Sequence, residues 1–505
     1  MFVSTKKARW LFAAAGLVSG LALVYASNPV QDEPRMVDLN VVAVDNHGEA
    51  VTDLTRDDFR IVDNGKPETL AFFHHRNTAL GAAPALAPNE VSNRGGANVP
   101  RATLILFDLL NEKFGTRGSA ANRLEHDLQN LESADYVYLY CLTLDGRLYP
   151  IHPLPGPETV AAPAGAPPWT RQIKVLLDQA LRSVTQVRPI DDLDPTYRIQ
   201  LTFNALGAIA AELSRVPGRK AVVWLTDGIP IELGPARSDT GDFVDFTPFV
   251  RQMCDAYDRS GVSIYPVRQV MLGSADSMGG PGTTGMGSID TLSQFAELTG
   301  GRPDAGKDIG PAVRQAILDT RTSYQIGYVP PPSNWNDKYH KLRITCTRKG
   351  VRIQAKTGYY AWAEAAGARF EQAMAVASHT AFDAAEIGLR ATLTRDPKDA
   401  RILHLEAHID AHDLVLVHQD DVYSGELRLQ TVGFADGFDP SSGPVVPMEL
   451  HLTAAQRDQA LQQGIPYAQN LTLANEIHNV RLIVYDRGST AIGSVTVLVP
   501  APAAR

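Results

Sequence analysis

The sequence is poor in cysteine, has no excess of positive charge, and has no long apolar stretch beyond its first 26 residues. Its three cysteines, Cys141, Cys254 and Cys346, are far apart and odd in number, so they indicate neither a disulfide framework nor a zinc knuckle. Each lies in an apolar or β-like run and is expected to be buried, with one bridged pair as the alternative. The net charge of −9 argues against non-specific nucleic-acid binding, which needs clustered Lys and Arg.

The N-terminus has the pattern of a secretory signal peptide at residues 1–26. Lys6, Lys7 and Arg9 precede an uncharged apolar run from Trp10 to Tyr25, and small residues flank Tyr25. We therefore expect a mature protein that begins near residue 27 and is exported to the periplasm, the cell envelope or the medium. The alternative is an uncleaved anchor, although about 16 apolar residues are few for a ~30 Å hydrocarbon core. Membrane contact is expected only through this segment, and only if it is retained.

The remaining residues are too many for one hydrophobic core and suggest about three domains. Residues 37–77 predict a small β-rich module, and the Ala, Pro, Asn and Gly-rich residues 78–100 predict a linker. Over residues 100–330 short apolar strands alternate with helical patterns, for example helices at 171–184 and 248–259. This alternation predicts an α/β fold class, with a central, mostly parallel sheet flanked by helices.

The last third of the chain has a different pattern. Strand Ser323–Val329 is expected to be the last strand of the parallel sheet. Residues 331–362 predict a β-hairpin extension, with strands Lys341–Cys346 and Val351–Ala355 on either side of a Lys-Gly turn. An Ala-rich helix at about 363–377 follows. Six strand patterns with turns between them then predict a C-terminal β-sandwich-like domain over residues 380–500.

Two carboxylates follow apolar strands of the predicted parallel sheet. Asp108 ends the run Thr103–Asp108, and Asp227 lies in the sequence Thr-Asp-Gly after another apolar run. In an open α/β sheet these positions line the crevice beyond the strand ends, where ligands bind. Two carboxylates converging there could hold a hard divalent cation through oxygen ligands.

This pattern resembles the von Willebrand factor A fold and its metal-ion-dependent adhesion site. Over residues 37–362 the order of further motifs is similar to the VWFA-related Acidobacterial domain family of exported proteins; these motifs are Val51–Gly65, Gly300–Arg302, Ser323–Tyr328 and Lys356–Tyr360. The resemblance implies a von Willebrand factor A-like domain that binds a protein partner at the cell envelope, as in adhesion.

The adhesion-site motif is degenerate in this chain. The family pattern is Asp-x-Ser-x-Ser, whereas Leu110 and Glu112 stand at the two serine positions after Asp108. The resemblance implies a weak Mg²⁺ or other divalent-cation site with Asp108, Asn111, Thr202 and Asp227 as ligands. The alternative is that both aspartates only cap the turns that follow them through hydrogen bonds to backbone N–H groups.

No pattern in the sequence supports catalysis. A haloacid-dehalogenase-like phosphatase needs a second aspartate two residues after Asp108, where this chain has Leu110. The Gly-rich segment Gly279–Gly285 lacks the Gly-Lys-Ser/Thr ending of a phosphate-binding loop. We therefore predict no catalytic residue and no enzymatic activity. Two alternatives to partner binding through a degenerate adhesion site are a metal-free structural or assembly factor of the envelope and, less favoured, a hydrolase of unknown substrate.

Overall fold

The structure is a computed structural model, and it describes most of the chain beyond residue 34. The described residues are 35–77, 86–87, 89–94, 101–112, 117–129, 136–154, 170–185, 195–214, 216, 218–229, 231, 236–237, 243–268, 285–302, 309–363, 368–379, 383–419, 421–435, 439–472 and 477–501. The predicted signal peptide at 1–26 lies outside them. Among the described helices, none is both long enough and apolar enough to cross a membrane.

The chain begins with short strands. They are β1 (Val37–Val44), β2 (Phe59–Asp63), β3 (Lys66–Glu68), β4 (Phe72–Asn77) and β5 (Val91–Ser92). One 3-10 turn precedes β2, where the Asp58 carboxylate accepts a hydrogen bond from the Thr55 backbone N–H at 2.8 Å. This hydrogen bond caps the 3-10 turn that immediately precedes β2.

Strands and helices then alternate. These elements are β6 (Thr103–Asp108), α1 (Arg117–Gln129), β7 (Val137–Leu142), β8 (Leu148–His152), α2 (Arg171–Thr185), α3 (Pro195–Leu213), β9 (Lys220–Leu225), β10 (Ala236–Arg237), β11 (Phe243–Val244), α4 (Thr247–Arg259), β12 (Val262–Val267), α5 (Gly285–Thr299), α6 (Ile309–Arg321) and β13 (Thr322–Tyr328). Five strands form a sheet in the order β12-β9-β6-β7-β8, with β8 antiparallel to β7 and the other pairs parallel. Every residue of β6, β7, β9 and β12 is buried, so both faces of the sheet are covered.

The remaining elements are mostly strands. They are β14 (Lys338–Cys346), β15 (Arg352–Gln354), β16 (Gly358–Ala361), α7 (Ala368–His379), β17 (Leu389–Arg395), β18 (Ile402–Ile409), β19 (Val417–Gln419), β20 (Val422–Phe434), β21 (Ser441–Ser442), β22 (Val446–Thr453), α8 (Ala454–Gln463), β23 (Ile465–Thr472), β24 (Asn479–Asp486) and β25 (Ile492–Leu498). The strands β17–β25, which we call the C-terminal β unit, form two antiparallel sheets; β5 joins one of them, in the order β23-β18-β17-β5, and the other is built around β20 and β24. Leu405 and Leu429 belong to one core between these two sheets.

The prediction of an α/β fold class with a central, mostly parallel sheet is wrong for this chain. About 40% of the described residues are in strands and about 30% in helices, and most of the sheets are antiparallel. Parallel pairing occurs only between β12 and β9, β9 and β6, and β6 and β7 among the described strands. The alternating pattern describes residues 100–330 alone, whereas the segments before and after them contain most of the strands.

The predicted last strand of the parallel sheet belongs to a different sheet. β13 pairs antiparallel with β1 and β4. We call the strands β1–β4 and β13–β16 together the N-terminal β unit. Because β13 is buried along its whole length, its composition did not distinguish the two kinds of pairing. The predicted hairpin is also wrong: β14 pairs with β2 and β16, whereas β15 pairs with β1.

Buried polar contacts join the N-terminal β unit to the five-stranded sheet. The guanidinium of Arg219, just before β9, donates to the Asn40 carbonyl at 3.2 Å and to the Gly300 carbonyl at 2.6 Å. Lys356 forms an ion pair of 2.5 Å with Asp258 at the end of α4, and both side chains are largely buried. Pairing these buried charges avoids the penalty of an isolated charge, so the two units have a specific mutual arrangement.

Part of the predicted linker contributes to the C-terminal β unit. β5 pairs with β17, and the Asn93 side chain donates to the carbonyls of Ala384 and Ile387 at 2.8 and 2.7 Å. The next residue, Arg94, forms ion pairs with Asp410 and Asp413. Residues 91–94 are therefore attached to the C-terminal β unit by strand pairing, hydrogen bonds and ion pairs.

Candidate functional site

The candidate site lies at the edge of the five-stranded sheet where its parallel strands end. β6 ends at Asp108 and β9 at Leu225, and the register places Phe107 beside Leu225. Asp108 is therefore level with Thr226, one residue before Asp227. The sequence argument placed both aspartates at this edge, and the strand register puts them there.

The Asp108 carboxylate is fully buried and receives hydrogen bonds from several donors. One oxygen, Oδ1, accepts the backbone N–H of Asn111 at 3.0 Å. The other, Oδ2, accepts the Asn111 side-chain amide at 2.8 Å and the Trp224 indole N–H at 3.0 Å. These bonds supply much of the polar contact that a buried carboxylate requires.

The Asn111 amide nitrogen bridges two of the predicted ligands. It lies 2.8 Å from Asp108 Oδ2 and 2.9 Å from Thr202 Oγ1. The Thr202 hydroxyl in turn donates to the Arg198 carbonyl one helical turn earlier in α3, at 2.9 Å. The structure therefore assembles Asp108, Asn111 and Thr202, as predicted, but an N–H group of Asn111 contacts the other two.

The fourth predicted ligand has a different environment. Asp227 is half-buried, and its backbone carbonyl accepts hydrogen bonds from Nε and Nη2 of Arg268 at 3.2 and 3.0 Å. Arg268 follows β12, the neighbour of β9, so this contact ties the ends of two strands together. Burial lowers the pKa of Arg268, and the nearby charge of Asp227 opposes that effect.

The two positions where the family pattern has serine are both inaccessible to solvent. Leu110 and Glu112 are fully buried, and the Leu110 backbone N–H donates to the Leu142 carbonyl at 3.2 Å, continuing the pairing of β6 with β7. Residues 109–112, which follow β6, are thus part of the core rather than an open cradle. A leucine at the first serine position supplies packing in place of an oxygen ligand.

These residues do not fit a divalent cation as they are arranged. A hard cation needs oxygen atoms directed at it, whereas two N–H donors point at Asp108 Oδ2. The Asn111 amide oxygen is buried and has no hydrogen-bond partner among the described residues, and it is directed away from Asp108 because the amide nitrogen of the same group contacts that carboxylate. Burial raises the pKa of Asp108, and the hydrogen bonds from Asn111 and Trp224 partly offset that shift. A loss of solvation, rather than a nearby positive charge, dominates the site.

Trp224 and Arg268 were not identified from the sequence. Trp224 occurs inside an apolar strand, where its large ring is expected for packing, and its ring does pack edge-on against Phe295. Only its position one residue before the end of β9 brings the indole N–H to Asp108. Arg268 carried no signal, because a single arginine after a strand is common on protein surfaces.

Other metal ligands do not converge in the described part of the chain. No group of three or more His, Cys, Asp or Glu side chains there could hold a metal ion. Cys141 and Cys254 are buried free thiols and Cys346 is a half-buried one.

Comparison with known proteins adds no family assignment. No protein-family model matches the chain, and no curated protein is significantly similar to it. Function is therefore inferred from the chain's own residues.

Proposed function

We propose that this protein is an exported, non-enzymatic component of the cell envelope that binds a protein partner at the strand-end surface. This name denotes the edge of the five-stranded sheet at Asp108, together with the first turns of α3 and α4. Export is inferred from the sequence pattern of residues 1–26. The von Willebrand factor A-like relationship is inferred from the strand-end positions of Asp108 and Asp227 and from the order of the further motifs, and it is part of the same proposal.

Two exposed aromatic side chains carry the proposal. Tyr197, in the first turn of α3, is 55% exposed, and Phe249, in the first turn of α4, is 58% exposed. Large aromatic residues are enriched in protein interfaces, where they bury much area at little entropic cost. Of the two other aromatic rings in α3 and α4, Tyr257 is buried and Phe203 is half-buried, so Tyr197 and Phe249 are the exposed aromatics of this helix pair.

Both helices begin at the strand-end surface. Each leads through a short turn into a parallel strand, α3 into β9 and α4 into β12, and so runs opposite to the strands. The Asn111–Thr202 hydrogen bond confirms that direction for α3. The two aromatics therefore lie near the edge at which the Asp108 carboxylate is buried.

The two aromatics also lie at similar distances, measured along their helices, from a hydrogen bond that joins α3 and α4. The Tyr257 hydroxyl of α4 donates to the Leu206 carbonyl of α3 at 2.8 Å, which joins the helices there. Tyr197 is nine residues before Leu206 and Phe249 is eight before Tyr257. At 1.5 Å per residue these offsets are about 14 and 12 Å, so both rings flank the same end of the helix pair.

The geometry supports a docking surface that works without a bound cation. The hydrogen bonds from Asn111 and Trp224 stabilise the Asp108 carboxylate and fix the loop after β6, and no metal is needed to satisfy it. Asp108 is fully buried and therefore positions the surface instead of contacting the partner.

A capture experiment tests this proposal. The full mature chain, carrying an affinity tag, is incubated with envelope extract of its own organism, with and without EDTA. The double variant Tyr197→Ser, Phe249→Ser should lose the captured protein while the thermal transition is unchanged. The control is Val376→Ser. Val376 is 62% exposed on α7, so this substitution removes apolar surface away from the strand-end surface.

Each result has a defined meaning. Capture that depends on the two aromatics and persists in EDTA supports the proposal. Equal capture by the double variant would refute the strand-end surface as the binding site. Loss of capture by the wild type in EDTA would show that a cation is required, contrary to the arrangement of Asn111. Recovery of the protein from the cytosol with its first residue intact would overturn export.

A further inference from the structure

A cleft separates the N-terminal β unit from the C-terminal β unit. Its volume is ≈ 190 Å³, and one wall comes from β4, β13 and the 3-10 turn before β2. The opposite wall comes from residues 411–416 together with His418, Tyr423, Arg457 and Leu461. Clefts between domains are the common location of small-molecule sites. Pockets for drug-sized ligands are about 300–1,000 Å³, so this one suits a smaller molecule.

Basic side chains line this interdomain cleft from both walls. Arg56 and His74 come from the N-terminal β unit, whereas His412, His418 and Arg457 come from the C-terminal β unit. They surround an apolar floor that includes Phe72, Leu414 and Leu461. A few polar groups converging over an apolar floor is the usual construction of a ligand site.

The lining contains one carboxylate, that of Asp413, and this group already forms an ion pair and a hydrogen bond. Asp413 Oδ2 accepts from Arg94 at 2.7 Å and from the Gly388 backbone N–H at 2.8 Å, and the Asp413 side chain is 5% exposed. His412 lies 2.9 Å from Asp410, which Arg94 also pairs with. Arg94 is thus shared between Asp410 and Asp413, and only Asp413 of these two lines the cleft. The lining therefore carries two arginines, Arg56 and Arg457, against one carboxylate.

The two arginines are held in place on opposite walls. The Arg56 guanidinium donates to the Leu70 carbonyl, and Arg457 lies over the Tyr423 ring, 4.8 Å from its centroid. His418 stacks on the same tyrosine with ring centroids 4.4 Å apart. The ion pair of Arg457 with Asp458 is loose, at 3.7 Å between well-exposed side chains, and such pairs contribute little in water. An incoming anion can therefore compete for Arg457.

We propose that the interdomain cleft binds a small ligand through an oxyanion group, a phosphate or a carboxylate, held between Arg56 and Arg457. Guanidinium groups match both oxyanions in charge and in planar hydrogen-bond geometry. None of the residues that line the cleft belongs to the strand-end surface, so this proposal does not rest on partner binding there. Because its two walls belong to different units, the ligand also links them.

Calorimetric titration of the full mature chain tests the site, with inorganic phosphate and citrate as separate probes at low ionic strength, where screening is weak. Saturable binding of one or both probes is expected: binding of only one identifies the oxyanion, and binding of both shows that the cleft accepts either. The double variant Arg56→Gln, Arg457→Gln should weaken binding by about tenfold or more, because charge-assisted hydrogen bonds are lost. Arg60→Gln is the matched control, since Arg60 is an exposed arginine close to Arg56 but outside the cleft.

A second variant keeps the test decisive if the double variant is poorly folded. His418 is exposed on the short strand β19, so His418→Glu should fold while placing a negative charge at the cleft. It should weaken binding of either probe. The proposal is overturned if neither probe binds up to about 10 mM, the range of very weak ligands. It is also overturned if binding survives both sets of substitutions unchanged.

Discussion

Replacing Asn111 with alanine tests whether an amide stabilises the buried Asp108 carboxylate. The change removes one hydrogen bond of 2.8 Å to a charged acceptor and one of 2.9 Å to the Thr202 hydroxyl. Bonds of these two kinds contribute about 1.5–3 and about 0.5–1.5 kcal/mol, respectively. The same change deletes the buried, unpartnered amide oxygen, which offsets about 1 kcal/mol or more. We expect a net loss of about 1–3 kcal/mol in local stability.

The loss should depend on pH in a defined direction. Burial raises the pKa of Asp108 above its value in the unfolded chain, so its buried charge disfavours folding as pH rises through the folded pKa. The Asn111 amide stabilises the charged form, and its removal raises the folded pKa further. The Asn111→Ala variant should therefore be most destabilised at neutral to alkaline pH. The penalty should shrink as pH falls and Asp108 becomes protonated.

Hydrogen–deuterium exchange of peptides covering Thr103–Asn111 measures this local stability without requiring the whole chain to unfold in one step. After correction for intrinsic rates, protection should fall by about 5- to 150-fold at neutral pH, since 1.4 kcal/mol corresponds to tenfold. Asn204→Ala is the control, because Asn204 is exposed on the same helix as Thr202. Unchanged protection, or a loss that is the same at acidic and neutral pH, would refute the role assigned to the amide.

Two further predictions concern the cation and the thiols. Millimolar Mg²⁺ should raise the wild-type free energy of unfolding by no more than about 0.4 kcal/mol, the value of RT ln 2 at a concentration equal to the dissociation constant. The Asn111→Asp variant should instead be destabilised, because its new carboxylate lies beside that of Asp108, and Mg²⁺ should restore its stability. Melting curves recorded with Mg²⁺ or EDTA test both expectations, and a large Mg²⁺-dependent shift of the wild-type melting temperature would contradict the structure. Iodoacetamide should label Cys346 before the two buried thiols, because burial raises the pKa of Cys141 and Cys254; peptide mass spectrometry of the native protein checks the order, and early labelling of either buried thiol would count against their burial.

Local structure followed from the sequence where short-range interactions decide it. Helices expected at 171–184 and 248–259 are observed as α2 and α4, because their apolar residues recur at helical spacing and turn residues flank them. Strand pairing was predicted less well. The strand predicted at 323–329, observed as β13, was expected beside the parallel strands, and the two strands on either side of Gly350 were expected to pair with each other. The residues of a strand do not by themselves determine which neighbouring strand it pairs with, or whether the pairing is parallel or antiparallel.

Within the candidate site, the sequence by itself determined that Asp108 follows a buried strand, that Asp227 follows another, and that no serine accompanies Asp108. Only the tertiary structure decided how these groups are satisfied. Trp224 reaches Asp108 from 116 positions along the chain, and Thr202 meets Asn111 from 91 positions away. Hydrogen bonds act over about 3 Å, so such partners depend on how strands and helices pack and have no local signature. The interdomain cleft has the same origin, because its basic walls come from segments more than 300 residues apart in the chain, such as Arg56 and Arg457.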